Sequence, residues 1–335
     1  VKTLLVDGDN LFKIGFHGVK ELFVEGNHIG GVYHFINTIR KQVDDNNYDK
    51  VIVFWDGENN SITRRKIYPD YKLNRRQEMN EHKFESYLVQ KNRVKEYLEE
   101  CFVRQVMIND CESDDGISYY CKIAVDENKT IFSSDKDYIQ LVDDTTSIYS
   151  PISKIWYKKG DKVKISEYEF PLYNVFTLKV LTGDKSDNVS GIYYLGEKTL
   201  VKFFPEILDK PTSVEDILTK AEILLKEDRE NVVLKNLLSG KTKSGIFGEE
   251  FFSINKKIVD LKNPLITEEG KEIVELYYQE TLDPEGRGYK NLIRMMTKDG
   301  FMKYLPKNDE AFVNFIRPFM KLTRKEKRKY KKSNN

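Results

Sequence analysis

"KVIVFWDG" (50–57) sets the reading of the fold. From Val51 to Trp55 the run is β-branched or aromatic without a break, and it stops at Asp56. A short run with no polar alternation, rich in such residues, is a strand buried on both faces, as in a parallel sheet. Three other short apolar runs are likewise followed by acids. "KTLLV" (2–6) ends at Asp7, and "FVRQVMI" (102–108) precedes Glu112, Asp114 and Asp115. "TIFS" (130–133) precedes Asp135 and Asp137. Helical patterns over 31–43, 84–101 and 113–125 lie between them. The alternation implies an α/β fold with a mostly parallel central sheet and helices on both faces.

In an open α/β sheet, sites are built at the C-terminal ends of the strands. A lone Asp after a strand is a turn residue or helix cap. Four strands that each end in carboxylates make a common site the better reading. Asp184 and Asp187 add two more. Glu112 and Asp115 share a face of a helical turn, and Asp135 and Asp137 share one side of an extended chain. So many carboxylates repel one another unless cations sit among them. Hard divalent ions with oxygen ligands answer that need, and Mg²⁺ or Mn²⁺ fits best. Two ions roughly 4 Å apart would clamp a phosphodiester. The four histidines show no ligand spacing and the three cysteines form no CxxC pair, which disfavours zinc and a disulfide framework.

"GDKSDNVSGIYYLGEKT" (183–199) comes within one residue of a phosphate-binding P-loop. A P-loop follows a strand, whereas 172–181 reads as a buried helix. Glu197 also shifts Lys198 out of register and puts negative charge where phosphate would sit. A helix beginning near Gly196 would instead offer N–H groups, Lys198 and Thr199 to a DNA backbone phosphate.

The 335 residues, 39% hydrophobic and 33% charged, suit a soluble globular chain with a substantial core. No run reaches the length of a membrane span and no signal-peptide pattern opens the chain, so a reducing cytoplasm is the expected location. Net charge is +1 but unevenly spread. Ten basic residues face four acidic ones over 64–95, and eight face Glu326 alone over 321–335. Two basic segments on an acidic body suggest a polyanionic partner. Within the first, "TRRKIYPDYKLNRRQ" (63–77) interleaves basic residues with Tyr68 and Tyr71, which suits phosphates and unpaired bases, and Pro69 argues against one rigid helix. A hairpin is expected over 154–165 with Gly160-Asp161 at its turn, and helices over 214–225, 229–238, 249–259 and 271–278.

"LLVDGDNL" (4–11), "VFWDG" (53–57), "CESDD" (111–115), "SSDKDYIQLV" (133–142) and "GDKSDNVSGI" (183–192) resemble, in order, the motifs of the 5′-nuclease superfamily. That family includes flap endonucleases and the 5′-nuclease domain of bacterial DNA polymerase I. "YSPISKIWYK" (149–158) is most similar to the phage RNase H branch. The resemblance covers 1 to about 205 and implies the PIN-like 5′-nuclease fold with a helical arch insertion. It implies metal ligands at Asp7, Asp56, Glu112, Asp114, Asp115, Asp135, Asp137, Asp184 and Asp187. Ser113, where the family often has Ala, is expected to matter little. "YKLNR" (71–75) looks like the arch signature, which implies that Arg64, Arg65, Lys72 and Arg75 face the scissile phosphate, with Tyr71 available to an unpaired base. Around Gly191 the family has a helix–three-turn–helix element gripping duplex DNA, with Pro-Gly where this chain has Tyr193-Tyr194.

The organisation that follows is a nuclease core over 1–170 with an arch at 58–95. A helical part over 171–320 carries the helix–three-turn–helix element at 174–205, and a basic flexible tail occupies 321–335. The expected activity is a monomeric 5′-3′ exonuclease and flap endonuclease with RNase H activity, using two Mg²⁺ ions or Mn²⁺. Its partners would be DNA with a 5′ flap, nick or RNA primer, and a single-stranded-DNA-binding protein of the replication machinery. A PIN-like ribonuclease would leave 183–199 unexplained. A non-catalytic DNA-binding module would not need intact carboxylates, and an ATPase would need the P-loop register.

Overall fold

The computed structural model describes residues 1–335 except 19–21, 25–26, 75–79, 306, 308–309 and 334–335. Its frame is a six-stranded sheet in the order Arg104–Ile108, Lys50–Asp56, Lys2–Asp7, Asn128–Phe132, Thr146–Ser150, Ile155–Tyr157. The first five strands run parallel, and the last is antiparallel to its neighbour. Leu4, Val6, Val51, Val53 and Trp55 point to one face, with the helices Gly8–Gly18, Gly30–Asn46 and Glu81–Glu100. Leu5, Ile52, Phe54, Val106 and Ile131 point to the other, with Ser113–Ile123 and Glu268–Gln279. Strict alternation in strands that read as continuous apolar runs is the signature of a sheet covered on both sides.

The fifth parallel strand escapes the sequence pattern because Thr146, Ile148 and Ser150 are its inward residues, two of them polar. It also corrects the hairpin expected over 154–165. Lys154, in left-handed conformation, closes a tight turn by donating its N–H to Ser150 O at 2.8 Å. Ile155–Tyr157 therefore folds back on Thr146–Ser150, with Trp156 packed on Tyr149. Lys162–Ile165 pairs instead with Tyr168–Pro171.

The cores do not divide at 170/171 and 320/321. Val175–Thr182, Glu197–Phe203, Val214–Glu227, Val232–Leu238 and Glu249–Val259 share a second core, which Tyr68, Tyr71 and Phe170 also enter. Leu292, Met296, Phe301, Phe315, Phe319 and Leu322 return to the α/β body. The basic tail expected from 321 is likewise corrected. Residues 321–333 are the last turns of the helix Ala311–Ser333, and Leu322, Thr323 and Glu326 are buried. Glu326 lies four and three residues beyond Leu322 and Thr323, so the three share one face, while most of the lysines and arginines line the other. Glu326 accepts two hydrogen bonds from Arg104 of the edge strand, at 2.8 and 3.0 Å.

Candidate active site at the acidic edge of the sheet

Asp7 and Asp56 are the last residues of adjacent strands. Glu112 is the N-cap of Ser113–Ile123, and Asp114 and Asp115 fill its first turn, where the helix dipole favours negative charge. Asp135 caps the 3₁₀ turn Lys136–Leu141 through the Asp137 N–H at 2.9 Å. The loop after Val175–Thr182 brings Asp184 and Asp187, so all nine predicted carboxylates lie at this end of the molecule.

Asp7 is held by four donors: Asn10 N–H (3.1 Å), Ser133 Oγ (3.0 Å), Tyr138 OH (3.3 Å) and Ser113 Oγ (3.4 Å). Burial nonetheless pushes its pKa up to about 7, with Asp56, Asp135 and Asp9 adding repulsion. Ser113 thus does more than expected, since its N–H also donates to Asp56 Oδ1 at 2.9 Å. Burial likewise raises Asp135, against the pull of Lys179 and with Asp187 reinforcing it. Burial works to raise Asp184 too, but Lys179 and Ser186 overcome it and hold its pKa at about 2.

Four cations are threaded among the acids. Lys179 contacts Asp137 and lies 2.8 Å from Asp184. Lys72 Nζ donates to both oxygens of Glu112 at 2.7 Å. Arg64 forks onto Asp115, whose Oδ1 also accepts from Leu265 N–H at 2.9 Å. Lys91 reaches Asp9 Oδ1 at 2.5 Å, and Asp9 Oδ2 accepts from Asp56 N–H. Sequence reasoning passed over Asp9, Lys91 and Lys179. The Asp7-Gly-Asp9 doublet was the available signal for the first; nothing local marks the two lysines.

Two arch expectations, those for Arg64 and Tyr71, are corrected. Arg64 is 3% exposed and committed to Asp115, so its ion pair is internal. Tyr71 is 2% exposed, and its OH lies 3.1 Å from both Glu112 Oε2 and Asp187 Oδ2, with one proton to donate between them. A ring enclosed in this way is a strut of the site and offers no open face to a base. Arg65 donates to Tyr71 O at 3.0 Å and so braces the same turn. Arg75 lies outside the described residues.

Among the described residues no three metal-ligating side chains converge on one point, because the cations stand between the acids. The donor set still suits a hard divalent ion. It is all carboxylate oxygen, and Asp114 Oδ1 is buried without a hydrogen-bond partner, 3.6 Å from Arg64. Burial, ahead of every other influence, drives the Asp114 pKa well above the carboxylate range.

In the 183–199 stretch, a Cβ on Gly191 would lie 2.1 Å from Thr182 O, and one on Gly183 would lie 2.4 Å from Gly191 N. Gly191 therefore lets two backbone segments touch. Gly196 precedes the helix Glu197–Phe203, Thr199 is half-buried, and Lys198 is 83% exposed. Tyr194 occupies the left-handed region at φ 66°, a conformation that costs a non-glycine residue about 1–2 kcal/mol.

The family model for the 5′-3′ exonuclease N-terminal resolvase-like domain matches residues 2–169. The chain belongs to that family, within the 5′-nuclease superfamily. It is 29% identical to a 5′-3′ exonuclease of Halalkalibacterium halodurans, over 78% of this chain and 90% of the relative. It is 28% identical to the thermostable DNA polymerase I of Thermus aquaticus over 69% of this chain, which spans 27% of that polymerase. The fold is that of the bacteriophage T5 5′-exonuclease: TM-score 0.62, 19% identity, covering 88% of this chain and 99% of the T5 chain. No helix among the described residues is long and apolar enough to cross a membrane.

Proposed function

We propose that the protein is a structure-specific, divalent-metal-dependent 5′-nuclease that cleaves phosphodiester bonds at 5′ ends and flaps of DNA and of RNA–DNA hybrids. The observation that carries this reading is the meeting of Asp7, Asp56, Glu112, Asp114, Asp135, Asp137, Asp184 and Asp187 at one edge of the sheet, with burial raising Asp7, Asp114 and Asp135. The T5 relatives support it, having been solved with zinc and, in a flap-endonuclease pseudo-enzyme–product complex, with DNA and metal ions.

These carboxylates would hold the cations, two Mg²⁺ with Mn²⁺ as a substitute; Asp115 would join them only on release from Arg64. Bound there, the metal supplies an activated water and charge stabilisation for the leaving oxygen. The chain's own residues do the rest. Ser113, Ser133, Tyr138 and Asn10 fix the rotamer of Asp7. Lys72, turning from Glu112, presents its ammonium to a phosphate oxygen. Lys198 and Thr199 meet backbone phosphates of the duplex and set its register. Primer removal in phage-type replication, as a cytoplasmic monomer working beside a single-strand-binding protein, is the setting that suits this chemistry.

The test is digestion of end-labelled flap, nicked duplex and RNA–DNA hybrid with Mg²⁺, Mn²⁺ or chelator, with product ends mapped. Metal-dependent release of 5′-phosphorylated products is expected. Failure to cut any of the three with either metal would overturn the reading.

A further inference from the structure

Asp9 belongs to the acidic edge, yet both of its oxygens are committed within the protein. Oδ2 accepts from Asp56 N–H at 2.9 Å, and Oδ1 lies 2.5 Å from Lys91 Nζ. The side chains of Asp9 and Lys91 are only 9% and 16% exposed, so the pair is largely withdrawn from water. The turn that carries Asp9 is pressed onto the neighbouring strand. A Cβ on Gly8 would lie 2.6 Å from the Trp55 ring and 2.8 Å from Phe54 O. Asp9 is thus held beside the end of Lys50–Asp56 and bonds the backbone of Asp56, whose carboxylate is read as a metal ligand.

Lys91 comes from the helix Glu81–Glu100, which follows the basic stretch 63–77. Tyr87, Lys91 and Lys95 stand four residues apart and share one face of that helix. This face rests on the same corner of the sheet. The ammonium groups of Lys91 and Lys95 each lie 5.3 Å from the Trp55 ring, and the charges of Asp9 and Asp56 both reach the buried Tyr87 hydroxyl. An enclosed ion pair roughly breaks even against desolvation, and an apolar pair would hold the helix as well. Stability alone is a poor reason to place a further acid where Asp7 is already repelled by its neighbours, Asp9 among them.

We propose that Asp9 and Lys91 are positioning residues for the metal ligand Asp56. Asp9 fixes the strand end through the Asp56 N–H. Lys91 holds the Asp9 carboxylate so that it does not turn in as a competing ligand. This rests on the nuclease reading above and adds to it two residues that act through Asp56.

The experiment measures Mg²⁺ binding by isothermal titration, and kcat and KM on a labelled flap, with thermal melts alongside. Lys91→Met keeps an aliphatic stem over Trp55 and uncovers Asp9. It should bind Mg²⁺ at least as tightly as wild type while kcat falls roughly 10–100-fold, the range for residues that orient a metal's ligands, with KM little changed. Asp9→Asn keeps an acceptor for Asp56 N–H but leaves Lys91 without its counter-charge, and should weaken Mg²⁺ binding. Lys91→Arg should restore kcat. So should Asp9→Asn combined with Lys91→Met, since the acceptor remains and no carboxylate is left to compete. Weaker Mg²⁺ binding by Lys91→Met, or no rescue in the double variant, would make the pair structural and overturn the proposal. A raised KM at normal kcat would make Lys91 a substrate contact instead, and wild-type behaviour in every variant would remove both residues from the site. If Lys91→Met does not fold, Asp9→Asn carries the test alone, and unchanged or tighter Mg²⁺ binding there overturns the proposal. Each of these failures leaves the nuclease reading intact provided the wild type binds Mg²⁺ and cuts. A wild type that does neither sinks both.

Discussion

The two ends of the same sheet both bury charge, and they do so in opposite ways. At the N-terminal end Lys50 meets Glu127 at 2.6 Å, and Glu127 also accepts from Thr3 Oγ1 at 2.6 Å and Tyr120 OH at 2.8 Å. Lys129 donates to Ala124 O, Glu127 O and Thr145 Oγ1, and Arg104 forks onto Glu326. Lys50 and Arg104 there each meet a buried carboxylate, and Lys129 places its ammonium on three neutral oxygens. At the C-terminal end the acids outnumber Arg64, Lys72, Lys91 and Lys179, and burial raises Asp7, Asp114 and Asp135. A buried charge that is fully paired holds structure in place. A buried excess of one sign is tolerated only where a further counter-charge is to be received.

The sharpest way to break this comparison is one substitution at each end. Asp135→Asn should abolish cleavage of a labelled flap in Mg²⁺ while leaving the urea midpoint unchanged or higher, because a repelled carboxylate is removed. Near-normal turnover at saturating Mg²⁺ would remove Asp135 from the metal site. Lys50→Met should do the reverse, costing about 3–5 kcal/mol of stability by stranding Glu127, with cleavage per folded molecule intact. A drop below about 1 kcal/mol in denaturant melts would mean that the pair is not structural.

Lys72→Ala tests whether a cation at the acidic end serves chemistry. Turnover should fall about 10²–10³-fold, or roughly 2.7–4 kcal/mol, with substrate affinity little changed. Weak binding with normal turnover would make Lys72 a positioning contact. Mg²⁺ at a hundredfold excess over its Kd should stabilise the wild type by about 2.7 kcal/mol against thermal unfolding, and Asp135→Asn should lose most of that gain. An equal shift in both proteins would place the ion elsewhere. The smallest effect lies outside both ends. Tyr194→Gly should raise stability by about 1 kcal/mol by relieving the left-handed backbone, less the entropy of the added glycine. A destabilised variant would mean that stacking on Tyr193 outweighs the strain.

Much of this molecule could be read from its chain because strand signals are local. Short apolar runs, each followed by acids, point to the four parallel strands Lys2–Asp7, Lys50–Asp56, Arg104–Ile108 and Asn128–Phe132 and to the edge where their carboxylates meet. Thr146–Ser150 was not legible, since its inward positions are Thr, Ile and Ser and only pairing with Asn128–Phe132 makes it a strand. The ordered basic helix was not legible either. Composition alone reads 321–333 as solvated, and only a sheet edge that offers Arg104 to Glu326 and a core that takes in Leu322 decide otherwise.

The same division runs through the site. Which residues carry negative charge is a property of the sequence, and so is their delivery to one edge, because it follows from strand period and direction. Which cation meets which acid is not. Arg64 on Asp115, Lys72 on Glu112, Lys91 on Asp9 and Lys179 between Asp137 and Asp184 join residues far apart in the chain, or on separate elements. Tyr71 could be read as a platform for a base until packing turned its hydroxyl onto Glu112 and Asp187. Periodicity and charge act over a few residues and are written in the chain. Ion pairing and burial depend on distances in space, which only the closed tertiary structure sets.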